Sequence, residues 1–367
     1  MKKFPLVAAA LVAAPLGAFA QDTGLEEIVV TAQRREQNLQ EVPISVTAFS
    51  ADALEKSNVR GATDYLAQTP NVSFTEDAQA GARGISVAIR GVNNLVSGEN
   101  AFVNSVGNYL DGFSIASVPS GVSNPQLIDM ERVEVLRGPQ GTYFGRNSLG
   151  GALNLTTKAP TDNYEGEIAL GAETYEERGD MYNVTGIFNA PLSDAFKVRG
   201  VAYYEDSSGL VKNIGPGAPD SGHQWLDLRL RALWEMSDAT SLSATVIYSD
   251  EDQDTDENVP SGYLDLDTVD TFGLNPGTAF DPGTGFWPHN QSKLSHDLNE
   301  QNKLETTVGI LNLTHQISDG LAFKAIAGII DATQDRVFDN DLIGNLDLLK
   351  RTNKYDGNSW SFEAREP

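Results

Sequence analysis

Residues 226–234 read Leu-Asp-Leu-Arg-Leu-Arg-Ala-Leu-Trp, in which apolar and charged side chains alternate from Leu226 onward. Successive side chains of an extended chain point to opposite faces, so Leu228 and Leu230 share one face while Arg229 and Arg231 share the other. This pattern is typical of a membrane strand with lipid outside and a polar lumen inside. A strand of a soluble sandwich with one wet face has the same period, so alternation alone leaves both architectures open.

The connections between such stretches favour the membrane architecture. From about Tyr164 onward, alternating stretches of about 10 residues recur, the length of a tilted transmembrane strand. Besides 226–234, the clearest are 196–204, 242–248, 321–329 and 360–364. Short Ser-Asp-small turns stand at 193–195, 237–239 and 318–320, and long polar connections at 205–223, about 250–303 and about 335–357. Tight turns at one end and long loops at the other predict an antiparallel outer-membrane β-barrel.

The number of strands predicts that this barrel is incomplete. About eight strands can be counted before Pro367, and a barrel of eight strands is filled by its own side chains. It could not enclose the segment that precedes the strands. Residues 159–367 number 209, about 26 per strand, whereas a plugged barrel of 22 strands needs roughly 570 residues. We therefore expect this sequence to be the front portion of a longer product.

The N-terminus has the features of an export signal. Lys2 and Lys3 precede an apolar run that ends at Leu16, and the small residues Ala18 and Ala20 then flank a phenylalanine. A membrane anchor would need about 20 apolar residues without interrupting prolines, and this stretch is shorter and contains two. Residues 1–20 are therefore predicted to be a cleaved signal peptide, and no later stretch is long enough for a transmembrane helix.

The predicted cleavage after Ala20 can be tested directly. Mass spectrometry of the protein from the membrane fraction should find Gln21 as the first residue, because the small-x-small pattern ends there. An intact Met1 would contradict both export and the outer-membrane location.

Composition excludes several functions. The chain has 51 acidic and 26 basic residues, a formal net charge of −25, and no cysteine. A nucleic-acid partner is therefore not expected, since phosphate binding relies on clustered Lys and Arg. Disulfides and thiolate metal sites are excluded, and the histidines 223, 289, 296 and 315 lack metal-ligand spacing. Catalytic and nucleotide-binding motifs are absent, so we expect neither an enzyme nor a cofactor.

Before the strands lies a mixed segment with two predicted helices. Ser50 is a suitable N-cap for the first, and the second, around Asp64 to Gln68, ends before Pro70 as the residue preceding a proline favours. Near the start stands Ile28-Val29-Val30-Thr31-Ala32, flanked by charge. Its strand propensity is that of a segment that could pair with another protein by strand addition, or of the first strand of the domain. Composition alone favours the latter.

A series of glycine-rich motifs in this segment carries a specific resemblance. Ile89-Arg-Gly-Val92, Val106-Gly-Asn-Tyr-Leu-Asp-Gly112, Val133-Glu-Val-Leu-Arg-Gly-Pro139 and Gly150-Gly-Ala-Leu-Asn-Leu155 follow one another in this order. The chain resembles the TonB-dependent outer-membrane receptors over essentially all of residues 21–367. The resemblance implies an α+β plug domain followed by antiparallel transmembrane β-barrel strands. It divides the chain into a signal peptide (1–20), a periplasmic segment (21–40), a plug (41–158) and the first part of the barrel (159–367).

The resemblance also implies roles for particular residues. Residues Ile28, Val29, Val30, Thr31 and Ala32 match the Ton box, which TonB and its inner-membrane motor complex pull so that ligand passes through the plug. For this role we expect the segment to be mobile and outside the plug's core. The plug motif comprises Arg90, Gly91, Glu134, Arg137, Gly138, Pro139, Gly150 and Gly151. In the family, charged plug residues pair with the barrel wall. For Arg90, Glu134 and Arg137, salt bridges within the plug are the alternative, because a charge inside a barrel must be paired or wet.

The expected function is energy-coupled uptake of a scarce ligand such as a ferric siderophore, in contact with outer-membrane lipid. The alternative is a passive or structural barrel with a periplasmic N-terminal domain. Fewer than ten residues of the mature chain precede the Ton box, so we expect no signalling domain and no transcriptional role.

The connection after residue 250 holds two further candidate features. Asp250, Asp252, Asp254 and Asp256 alternate, but the glycine that an EF-hand loop needs at its sixth position is missing, so a solvated acidic loop is favoured over a divalent-cation site. Aromatic residues of the same loop could stack on a planar ligand or hold the loop together. They are Tyr263, Phe272, Phe280, Phe286 and Trp287.

Overall fold

A computed structural model describes the chain from residue 29 to residue 365 with gaps. The described residues are 29–31, 37–57, 59, 61–76, 84–93, 105–115, 126–145, 147–175, 179–213, 220–254, 293–294, 298–318, 320–339 and 350–365. The predicted signal peptide and the five candidate ligand aromatics lie outside them.

The first part of the chain is a mixed α/β unit built on a five-stranded sheet with the order β3-β8-β9-β6-β7. Of its strand pairs, β6 and β9 run parallel and the others antiparallel. Two-stranded ladders join β1 to β2 and β4 to β5. The strands are β1 (Val29–Val30), β2 (Gln37–Asn38), β3 (Ser45–Ser50), β4 (Val72–Glu76), β5 (Ile85–Ile89), β6 (Val106–Leu110), β7 (Phe113–Ser114), β8 (Met130–Arg137) and β9 (Gly151–Thr157).

Both predicted helices are confirmed, and a short third one follows β8. They are α1 (Ala51–Lys56), α2 (Ala62–Ala67) and α3 (Gly141–Phe144). The Ser50 hydroxyl accepts a hydrogen bond from the Ala53 amide at 3.3 Å, which is the expected N-cap contact. At the start of α2 the direction is reversed, since the Asp64 carboxylate inside the helix accepts from the amide of the N-cap residue Gly61 at 3.1 Å.

The five-stranded sheet buries both of its faces. Along β8, Val133 and Val135 point into the larger apolar cluster together with the helices. Glu134 and Leu136 point to the other face, where a smaller cluster contains Tyr109, Phe144, Ala152, Val42 and Val30. Because both faces are covered, the apolar residues of β8 are buried on either side of the sheet, Val133 and Val135 on one face and Leu136 on the other.

The second part is an eight-stranded antiparallel sheet in sequential order, which confirms the predicted strand count and pairing. Its strands are β10 (Glu165–Tyr175), β11 (Gly179–Ser193), β12 (Phe196–Ser207), β14 (His223–Ser237), β15 (Thr240–Gln253), β17 (Gln301–Ser318), β18 (Leu321–Asp339) and β19 (Lys350–Arg365). Outside this sheet, β13 (Lys212–Asn213) pairs in parallel with β16 (Lys293–Leu294).

The strands are longer than the predicted stretches of about 10 residues, because the hydrogen-bonded ladder continues into sequence that is polar on both faces. Strand β18 has 19 residues, and β15 includes Asp250 and Asp252, which were expected in a loop. The connections therefore narrow to 208–222, 254–300 and 340–349. Hydropathy marks only the lipid-facing part of a strand, so its polar end was mistaken for loop.

The predicted orientation of β14 is confirmed. Leu228 and Leu230 are 40% and 50% exposed on the outer face, whereas Arg229 and Arg231 reach inward to the first part of the chain. In the described part of the chain, no helix is long and apolar enough to cross a membrane.

A charge at the centre of β14 gives a test of this orientation. Leu230→Arg should destabilise the receptor by about 2–4 kcal/mol, because the side chain meets hydrocarbon near the bilayer midplane. Denaturant unfolding in lipid vesicles measures the change. Leu230→Met keeps an apolar side chain of similar volume and should cost less than about 1.5 kcal/mol; equal tolerance of arginine and methionine would contradict a lipid-facing position.

Candidate functional site

A bidentate salt bridge joins the two parts of the chain. It links the inner face of the eight-stranded sheet, called the wall below, to the N-terminal α/β unit, called the plug. On β12, the Arg199 Nε and Nη2 atoms donate to the two carboxylate oxygens of Asp129, each at 2.7 Å. Its Nη1 donates to Glu165 at 2.8 Å. The side chains of Arg199 and Asp129 are only 7% and 2% exposed. This paired, planar geometry is the strong form of an arginine–carboxylate contact.

Two further arginines on β14 extend this contact. Arg229 donates to the Ile128 carbonyl at 2.7 Å, and Arg231 donates to the Thr157 carbonyl at 2.6 Å. Arg231 also lies 3.6 Å from Asp111, which in turn accepts from the Thr157 amide. We call this set the arginine cluster; it comprises Arg199, Arg229 and Arg231 of the wall with Asp111 and Asp129 of the plug.

Sequence reasoning placed the arginines of β14 toward the lumen but missed the two plug aspartates. Asp111 and Asp129 both have left-handed backbones, with φ of 47° and 56°. Asp tolerates this conformation better than most residues, so each occupies a tight turn that presents its carboxylate outward from the plug. An Asp directly before a turn glycine, as at Asp111-Gly112, was the available signal.

An apolar contact joins the plug to the wall beside the arginine cluster. The Phe113 ring lies where a side chain at Gly328 of β18 would stand, since a Cβ there would be 2.2 Å from the ring. Val308, Ile310 and Ile330 of the wall belong to the plug's larger apolar cluster. The plug is thus held on this side by both burial and charge.

The predicted plug motif forms one tight structural unit within the plug. Arg137 donates to the Pro70 carbonyl at 3.1 Å, and the Gly138 amide donates to Gly150 at 2.9 Å. Gly138 has φ +108°, and a Cβ there would lie 3.1 Å from the Arg90 guanidinium. Among the described residues, Glu134 lies 3.8 Å from Arg132 of the plug, and Arg137 contacts a plug carbonyl. The within-plug salt bridge is thus favoured for Glu134, and the partners of Arg90 and Arg137 stay a prediction.

The remaining motif residues surround the same turn. Gly91 has φ +78° beside Arg90, which is itself left-handed at 53°, and Pro139 follows Gly138 on the surface. At Gly151, a Cβ would lie 2.2 Å from the Leu136 carbonyl, so only glycine fits this strand start.

The candidate Ton box is attached to the plug, contrary to the expectation of a mobile segment outside its core. Val29–Val30 pairs with Gln37–Asn38, and Val30 is fully buried in the smaller apolar cluster, while Val29 is 41% exposed. Thr31 donates to Glu134 through both its amide and its hydroxyl. Burial of Val30 explains the difference. Ile28 and Ala32 lie outside the described residues.

A cavity of about 820 Å³ lies between the plug and the wall. The plug side includes Asp64 and Ile85, and the wall side includes Tyr203, His223 and Trp225. The His223 and Trp225 rings stack with centroids 4.0 Å apart, and His223 Nε2 lies 3.0 Å from Glu205. These side chains offer an aromatic surface with polar groups beside it, which suits a small ligand. The inward positions of β14 were the available signal.

The acidic stretch does not form a metal centre among the residues that the structure describes. Asp250 and Asp252 belong to β15, and Asp254 directly follows it. Burial, together with the charge of Asp252, raises the pKa of the Asp254 carboxyl above its usual range. Residues 255–270, with the other acids of this stretch, lie outside the described residues.

Comparison with known proteins identifies the class. Residues 38–152 match the sequence profile of the family described as TonB-dependent Receptor Plug Domain. The chain is 31% identical over 191 residues to the iron-regulated outer membrane virulence protein of Vibrio cholerae, covering 50% of this chain and 28% of that protein. It is 32% identical over 167 residues to the vitamin B12 transporter BtuB of Vibrio vulnificus, covering 44% of this chain and 26% of that protein.

A solved receptor shares the fold. The siderophore receptor PiuA from Acinetobacter baumannii superimposes with a TM-score of 0.65 at 19% identity, covering 90% of this chain and 43% of that chain. The match thus spans 28% and 26% of the two curated relatives and less than half of the solved receptor. Residues 38–152 are thus a plug domain of the TonB-dependent receptor type. The chain as a whole is similar to TonB-dependent outer-membrane receptors, and its eight-stranded antiparallel sheet corresponds to part of the barrel of the solved receptor.

Proposed function

We propose that this receptor takes up a scarce ligand, a ferric siderophore, by an energy-coupled rearrangement of its plug. TonB would pair with the segment Ile28–Ala32 as an added strand and pull on it. The observation that carries this proposal is the contrast in attachment. The segment is held by a two-residue ladder, one buried valine and the Thr31 contacts, whereas the plug is held to the wall by the arginine cluster.

This contrast suits transmission of force. A short ladder at the periplasmic start of the plug can be exchanged for a ladder with another protein, because backbone N–H and C=O groups pair equally well with either. The buried salt bridges of the arginine cluster keep the rest of the plug seated until force reaches them. In this proposal the protein acts without a resident cofactor and is a transporter rather than an enzyme, in line with the names of one similar transporter and one similar receptor. The proposal uses the division given by the sequence, with the signal peptide ending at residue 20, the periplasmic segment at 40 and the plug at 158.

The ligand would bind in the cavity between plug and wall, and the loop aromatics Tyr263, Phe272, Phe280, Phe286 and Trp287 remain candidates for closing over it. A siderophore is supported by the names of the similar receptors, one iron-regulated and one a siderophore receptor. The cavity's stacked His223–Trp225 pair adds a planar surface for such a ligand.

The test is uptake of radiolabelled iron presented on a panel of siderophores, in cells with and without TonB. We expect one chelate to bind equally to both strains and to accumulate only where TonB is present. Accumulation that is independent of TonB would support a passive barrel instead.

Substitution of Trp225 tests the ligand site. Trp225→Ala should weaken binding of the transported chelate about tenfold, since aromatic stacking contributes about 0.5–1.5 kcal/mol beyond burial. Equilibrium binding to purified receptor measures this. Trp234→Ala is the matched control, because Trp234 lies on the same strand but is 47% exposed on the outer face. Equal effects at both positions would contradict a ligand role for the cavity.

A further inference from the structure

A fully buried carboxylate lies beneath the candidate Ton box. Glu134 is 0% exposed on a sheet face that also carries the apolar residues Leu136, Ala152 and Val30. A carboxylate in such surroundings is costly unless it accepts hydrogen bonds. A leucine would fill this position without that cost, so the polar group calls for an explanation beyond packing of the sheet.

The donors to Glu134 come mainly from the segment that covers it. Thr31 donates through its amide to one carboxylate oxygen and through its hydroxyl to the other, at 2.8 Å for the hydroxyl. Asn154, opposite Glu134 on β9, donates to the carboxylate and to the Thr31 hydroxyl oxygen at 3.1 Å. The nearest cation, Arg132 Nε, is 3.8 Å away. The charge is thus satisfied mainly by neutral donors, and two of them leave when the segment leaves.

We propose that Glu134 is the positioning residue that holds Val29–Thr31 against the plug and sets the fraction of receptors whose segment is free to pair with a partner strand. This inference rests on the proposed coupling to TonB. Because the carboxylate accepts from a backbone amide, it holds the segment in one register whatever side chain stands at position 31. When the segment departs, water enters its place and solvates the carboxylate, so release leaves no dry unpaired charge.

The proposal predicts how removal of the charge changes exposure of the segment. Glu134→Gln keeps the side-chain volume, but its amide group faces the Asn154 amide as a second donor. The equilibrium constant for attachment of the segment to the plug should fall about tenfold. This corresponds to about 1.4 kcal/mol, which is at the lower end for hydrogen bonds to a charged group. A segment that is bound most of the time becomes more available to a partner by the same factor.

These 367 residues contain no cysteine, so one introduced thiol reports on the segment alone once any cysteine of the downstream part is replaced by serine. In the full-length receptor with Val30→Cys, whose side chain is buried while the segment is bound, Glu134→Gln should accelerate alkylation of this thiol about tenfold at fixed pH. Glu55→Gln is the matched control, the same chemical change at an exposed position of α1. Thr31→Val removes the hydroxyl that donates to Glu134 and accepts from Asn154. It keeps the backbone amide donor, and should give a smaller acceleration in the same direction.

Binding of the purified periplasmic domain of TonB to the same variants separates this inference from the proposed function. Faster alkylation with tighter binding of that domain supports both. Faster alkylation without binding in any variant supports the role of Glu134 and overturns the coupling. Unchanged alkylation in Thr31→Val, or in a Glu134→Gln receptor with the parental circular dichroism spectrum, overturns the role of Glu134.

Discussion

A receptor with proline at position 29 is expected to reach the outer membrane, bind its ligand at the parental level and transport none of it. Val29 is 41% exposed and pairs with Asn38 in the short ladder. Proline removes one backbone donor and fixes φ near about −65°, so the segment can no longer pair fully with TonB as an added strand. Uptake of the labelled chelate should fall to that of a strain without TonB, while surface binding stays unchanged.

Val29→Ile is the control, because it keeps both backbone groups and the strand propensity. Position 30 is less suitable than position 29 for a proline substitution. Val30 is fully buried in the smaller apolar cluster, so Val30→Pro would alter packing as well as pairing. Parental transport by the Val29→Pro receptor would rule out strand addition at this segment, and failure to assemble would identify Val29–Val30 as a structural first strand.

The second large effect is expected at the arginine cluster. Arg199→Met should destabilise the seated plug by about 3–5 kcal/mol, because removal of one partner leaves a buried carboxylate without its bidentate cation. Arg229 is 3.6 Å from Asp129 and can compensate only in part. Denaturant unfolding, with hydrogen exchange of the β8 amides as the probe, measures the loss of plug stability.

An exposed pair on the same sheet provides the comparison. Lys354 and Asp335 are also 2.7 Å apart, but their side chains are 73% and 53% exposed. Lys354→Met should therefore cost less than about 1 kcal/mol. A double-mutant cycle that adds Asp129→Asn isolates the coupling of Arg199 to Asp129. Equal costs at positions 199 and 354 would show that the plug is held by its apolar contacts.

Features that depend on near neighbours in the chain could be predicted from the sequence. The alternation of 226–234 determines which side chains of β14 face lipid, since the period of a strand is local. The Ser50 cap and the proline after α2 act within a few residues, and both helices form where expected. The repeated Ser-Asp-small turns likewise marked the hairpins.

Features that depend on contacts between distant segments could not be predicted. Asp129 meets Arg199 across 70 residues of chain, and no periodic pattern links them. Thr31 meets Glu134 across 103 residues, so the segment's attachment to the plug was missed while its strand propensity was recognised. Strand ends were also misjudged, because β15 and β18 continue where hydropathy no longer marks a lipid-facing side.

The arginine cluster constrains how the molecule is assembled. Arg199 and Arg231 stand directly opposite each other on β12 and β14, and like charges facing across a strand pair destabilise it. Asp111 and Asp129 supply the opposite charges at this point, so the pairing of the two strands is stabilised when the plug is in place. The wall therefore depends on the plug for its own stability, and we expect a variant without the plug to assemble this part of the wall less efficiently.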